Sequence, residues 1–167
     1  MDKNSVIRLL EPIGAIKIQS PANFIAIRHF RLYESEHEPV LIGWIGPHFT
    51  EHFLPKVEEM SEDHNLSIFT LTRASCDAPI VSELGGEDGI ETTLFKINKF
   101  LVSQGRGQGG ILLTNGHFNI FYVRDIYGEL CSVFLYWGGD FWGIESRSLS
   151  CLLSYDADSQ VFSRNPR

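Results

Sequence analysis

Apolar residues along this chain fall mostly in short blocks that alternate or run together, and they recur at helical spacing in one clear place. Residues 24–33 and 40–45 are rich in β-formers and flank an acidic loop closed by Pro39, a pattern that predicts a β-hairpin. The second run, Val-Leu-Ile-Gly-Trp-Ile, is apolar on both faces, as a central strand would be. Pro55 would break one helix running through 47–60. The segment therefore predicts a turn or short helix after Pro47 and a helix from near Pro55. Residues 66–73 read as a third strand, and 79–84 as extended chain before the Gly85-Gly86 break.

The helical spacing lies in 88–104, where Ile90, Leu94, Ile97 and Leu101 share a face. Asp88 and Glu91 supply a capping pair, and Gly105 ends the helix. Beyond it, residues 111–114, 117–123, 130–137 and 141–145 read as sequential strands. Asn115-Gly116 marks the first hairpin, since a type I′ turn needs positive φ at both central residues. The expected fold is α+β, with a mainly antiparallel sheet in the order β-β-α-β-α-β-β-β-β and a C-terminal four-strand meander packed on helix 88–104. Residues 1–167 form a single domain in this reading, with the first few residues and the polar tail 163–167 frayed.

Alternation splits the meander's aromatics between two faces. Phe118, Ile120 and Tyr122 point one way, and Asn119, Phe121 and Val123 the other. One face can pack on helix 88–104. The opposite face needs a second cover, which the N-terminal hairpin, another copy of the chain or a partner protein could provide.

Composition narrows the function classes. With 43% apolar and 21% charged residues, the 167-residue chain can close a hydrophobic core. No apolar run reaches the ~20 residues needed to span a bilayer, and the first residues lack a signal peptide's apolar stretch. A cytoplasmic protein with no membrane role is expected. Three cysteines, Cys76, Cys131 and Cys151, include no C-x-x-C pair and argue for a reducing compartment. A net charge of -7 without a basic run argues against a nucleic-acid partner.

Four constellations could carry chemistry. His48-Phe-Thr-Glu51-His52 has the form H-x-x-E-H and resembles the signature of inverted zinc peptidases. On a continuous helix, His48 and His52 would share a zinc ion, Glu51 would activate its water, and Glu129 stands downstream where that family has a distal glutamate. Pro47 and Pro55 shorten such a helix to about two turns, a poor support for rigid ligands, so no metal or cofactor is expected. Gly105-Arg-Gly-Gln-Gly-Gly110 follows a helix and opens a strand, the reverse of a dinucleotide-binding loop, and reads as a connector. Cys76 with His117 and Asp125 could form a nucleophile site, but no hydrolase signature surrounds it.

The fourth is the aromatic meander. Tyr127, Trp137, Asp140 and Trp142 sit in or beside its turns, where a partner could reach them. The favoured reading is thus a small non-enzymatic interaction module, an adaptor or immunity-type inhibitor, binding another protein or a second copy of itself. A metal-dependent hydrolase using residues 48–52 and a small-molecule-binding domain are the alternatives.

Overall fold

The computed structural model describes residues 8–18, 23–59 and 64–164. Along them run β1 (Leu10–Ile18), β2 (Asn23–Ile25), β3 (Ile42–Ile45), α1 (Pro47–His52), β4 (Val57–Glu59), β5 (His64–Leu71), α2 (Asp77–Glu83), α3 (Leu94–Ser103), β6 (Asn119–Arg124), β7 (Leu130–Trp137), β8 (Trp142–Ser148) and β9 (Gln160–Arg164). A single 3-10 turn, Ala26–Arg28, follows β2. The main sheet has the order β1-β5-β9-β6-β7-β8-β3, and β2 pairs with β4 in a small second sheet. Among the described residues no helix is long and apolar enough to cross a membrane.

The α+β class stands, but the sheet is mixed rather than mainly antiparallel. β9 lies parallel to β6, and β3 parallel to β8. Parallel neighbours need long connections. Both strands reach the sheet that way, β3 from the N-terminal half and β9 after the meander, and local turn signals reveal only hairpin neighbours.

The meander has three strands, β6, β7 and β8, not four. The edge of β6 that residues 111–114 were expected to fill is taken by β9. Side-chain amides hold that segment instead. Gln104 accepts from the Leu112 N–H at 2.8 Å and donates to its carbonyl at 3.0 Å. Buried Asn119 does the same for Leu113, at 2.8 and 3.1 Å. Gly116 has positive φ but Asn115 does not, so the type I′ turn is absent.

Other corrections follow from tertiary pairing. The expected hairpin of 24–33 with 40–45 is replaced by β2 pairing with β4 and β3 pairing with β8. Residues after Pro55 form strand β4 rather than a helix. Within it the buried Glu58 carboxylate accepts the Leu94 and Phe95 N–H groups, at 2.8 and 2.9 Å. That contact, with Thr93 as N-cap, starts α3 at Leu94 and displaces the Asp88/Glu91 pair. The segment 79–84 lies largely in helix α2, where Asp77 occupies the first turn and Ile80 and Val81 are buried. The strand β1 was not foreseen. It pairs with β5 in mostly exposed surroundings, and an irregularity between Pro12 and Gly14 breaks its alternation.

The tail is not frayed at its start, because Ser163 and Arg164 pair with Ser67 and Leu66 in the sheet and Ser163 is fully buried. Residues 1–7 and 165–167, where the remaining fraying was expected, lie outside the described residues.

Around β6 and β7, both faces of the sheet are covered by this chain. Phe121, Val123, Cys131, Val133 and Leu135 pack with Ile97, Phe100 and Leu101 of α3 and with Phe49 and Phe53, and this layer is filled. Ile120, Tyr122 and Leu130 pack with Ile80, Val81 and Tyr155 on the other side. The second cover of this region is therefore α2 and the chain around Tyr155 rather than an N-terminal hairpin.

Candidate functional site

α1 begins where Pro47 fixes the first helical φ, and it ends within two turns. Its start is held by Glu145, whose carboxylate accepts the Phe49 N–H at 2.9 Å and the Ser146 N–H at 2.8 Å. Phe49 and Phe53 bury themselves in the core. That anchors one side of the helix and leaves His48 and His52 on another, where their rings stack 3.9 Å apart and nearly parallel, at 6°.

Each imidazole is tied to the sheet through Nδ1. His48 shares a hydrogen bond of 2.6 Å with Ser146 Oγ, and His52 one of 2.8 Å with Asp125 Oδ2. Asp125 opens the β6–β7 turn and also accepts the Tyr127 and Glu129 N–H groups, both at 2.9 Å. Burial alone would raise the Asp125 pKa, but the His52 bond and the two backbone donors outweigh it and hold the carboxyl below its ordinary value. An ionised carboxylate only accepts, so His52 donates to it from Nδ1. Burial, then the neighbouring His52, lower the His48 pKa against the opposing pull of Glu145, Asp125 and Glu51.

The two rings line a cavity of about 300 Å³ at the end of the sheet where β6 and β8 finish and β7 begins. Glu87, Asp125, Glu129, Leu130, Cys131, Ser148 and Leu149 complete its walls. Cys131 Sγ lies 3.9 Å from Asp125. Burial, with that carboxylate beside it, pushes the thiol up to about 12, which leaves it protonated and inert. A larger cavity of about 430 Å³ lies along β1 and β5, but its Glu83 carboxylate is occupied by the Leu9 and Leu10 N–H groups.

The H-x-x-E-H segment is thus helical and brings its histidines together. Parallel rings, however, send their lone pairs side by side rather than to one point, and exposed Glu51 is not among the cavity's walls. Among the described residues no group of three or more His, Cys, Asp or Glu side chains is arranged to hold a metal ion. Asp125, expected beside Cys76 and His117, is engaged by His52. Arg106 of the glycine-rich connector donates to the Glu36 and Glu38 carbonyls, at 2.6 and 2.9 Å, and so ties down the acidic loop.

The four meander residues do not form one patch. Trp142 is fully buried, donating Nε1–H to the Gln104 carbonyl at 2.8 Å, and Trp137 packs edge-on against it. Trp142 is therefore a core residue, because its strand position faces α3. Tyr127 is 66% exposed with its ring edge-on to His52, whereas Asp140 is exposed at the opposite end of β7. The eight residues of β7 set those turns about 25 Å apart. Sequence reasoning passed over Leu152 and Leu153, which are 85% and 73% exposed on the loop after β8. Two adjacent leucines in a polar segment were the available signal.

Comparison with known proteins adds no relative: no protein-family model, curated protein or solved structure matches this chain.

Proposed function

We propose that this chain is a polypeptide-binding module that meets its partner at the cleft end of the sheet. The observation that carries the reading is the exposure of Leu152 and Leu153, at 85% and 73%, on the loop that continues from the cleft residues Ser148 and Leu149. Covering each leucine fully would gain about 1.5–3 kcal/mol, enough to anchor a modest interface. Tyr127 adds an exposed aromatic ring on the turn that carries Asp125 and Glu129. The surface proposed from sequence keeps Tyr127 and gives up Trp142.

Two observations favour binding over the hydrolytic alternative. The cavity's cysteine is held protonated, and the histidines stack in parallel with Glu51 outside the cleft.

Selection of peptides from a random display library on the purified chain tests the proposal. Enriched peptides should lose binding to a Leu152→Ser/Leu153→Ser variant. No enrichment, or peptides that bind the variant equally well, would contradict it.

A further inference from the structure

We infer that the cleft is a socket for one long basic side chain, Arg or Lys, on the polypeptide that the Leu152–Leu153 loop engages. This rests on the partner-binding reading and specifies the partner's chemistry. The lining carries three carboxylates, Glu87, Asp125 and Glu129, and no Lys or Arg; its two histidines leave Glu87 and Glu129 unpaired, since His52 pairs with Asp125 and His48 with Ser146. Asp125 spends its acceptors on His52 and two backbone N–H groups. Exposed Glu87 and Glu129, by contrast, form no ion pair among the described residues.

A hydrogen-bond acceptor is already aimed by the fold. Because Asp125 takes the Nδ1–H of His52, the uncharged form of that ring offers Nε2 as an acceptor, in a cleft that the Glu87 and Glu129 carboxylates line together with His48 and Ser148. An anionic ligand would meet like charge there. A guanidinium or ammonium group would meet acceptors. Leu130 and Leu149 supply apolar wall for the methylene stem, which a long basic side chain buries while its head stays on polar groups. At about 300 Å³ the cavity sits at the small end of ligand-sized pockets, room for one side chain rather than a whole drug-sized molecule. The chain's net charge of -7 draws a basic segment from a distance.

The test uses the full chain with 13C-labelled histidine, titrated at neutral pH and low salt with N-acetyl-arginine amide and N-acetyl-lysine amide. N-acetyl-norleucine amide and N-acetyl-glutamate amide serve as neutral and acidic comparisons. Saturable shifts of the His48 and His52 ring signals are expected with the basic probes alone. They should weaken by roughly tenfold in a Glu87→Gln/Glu129→Gln variant, whose exposed substitutions leave the core untouched, and weaken again at about 0.3 M salt. No saturable shift, or an equal response to norleucine, would overturn the socket. Selected peptides that depend on the two leucines but carry no Arg or Lys would overturn the socket alone. Probe binding with no leucine-dependent peptide would instead overturn the partner reading, and with it the assignment of the socket to a polypeptide.

Discussion

Replacing Asp77 with alanine removes an acceptor that three donors share inside the second layer. Its carboxylate, fully buried at the start of α2, accepts from Tyr122 Oη and Ser132 Oγ at 3.0 Å each and from Arg147 Nε at 2.8 Å. The Arg147 side chain is 13% exposed, lies 3.9 Å over the Tyr155 ring, and has an Nη2 without a hydrogen-bond partner. Removing one member of a buried ion pair costs about 3–5 kcal/mol, and a stranded buried hydroxyl about 1–3 kcal/mol. These costs overlap, so the expected loss is about 4 kcal/mol, a large share of a domain's usual stability.

Linkage trims that figure without reversing it. Burial raises the Asp77 pKa, with Arg147 pulling the other way. The stability linked to a raised carboxyl is fully present below its unfolded pKa and is lost as pH rises through the folded value. Above that folded value the wild type already bears the cost of keeping this carboxylate charged. Urea unfolding at neutral pH, followed by tryptophan fluorescence, should show the midpoint falling with the slope unchanged. An Asp77→Leu/Arg147→Met variant should recover at least half of the loss, since both charges leave together. A loss under about 1.5 kcal/mol for Asp77→Ala, or a double variant no better than the single one, would refute the reasoning.

Gly105→Ala should destabilise the fold by about 1–3 kcal/mol in the same assay, because its Cβ would lie 2.0 Å from the backbone oxygen of Pro39, which cannot swing aside as a side chain can. The His48 ring, followed by NMR, should titrate below the ordinary imidazole range. Its lowered pKa contributes stability that is present above the unfolded value near 6.5 and lost as pH falls through the folded one, so His48→Gln should flatten the stability profile over that window. Cys131 should stay unreactive to a thiol reagent until the chain unfolds, in keeping with a buried thiol near 12; rapid labelling of this residue in the native protein would contradict that placement.

The α+β class, β7 and the face alternation of β6 were legible because each rests on local pattern. The sequence places Phe121 and Val123 opposite Ile120 and Tyr122, and the two core clusters divide them the same way. What was hidden depends on distant partners. Glu58 moves the start of α3 by reaching across from β4, and no spacing within 88–104 reveals it. Gln104 and Asn119 hold 111–114 as an irregular segment although its composition favours a strand. At the site, the 48–52 spacing revealed the histidine pair, but the ring angle and the bonds to Ser146 and Asp125 come from residues about 70 to 100 positions away. Tyr127 was legible as a turn aromatic. Trp142 was misjudged because proximity to a turn says nothing about which face a strand residue takes.

Amide chemical-shift mapping of the tightest selected peptide onto the labelled chain tests the central claim most directly. The account predicts that the perturbed residues gather at Tyr127, Glu129, Ser148, Leu149, Leu152 and Leu153, with the His48 and His52 rings shifting in step. Perturbations confined to the Trp137–Asp140 end of β7 or to the β1 edge, with the cleft unmoved, would contradict it.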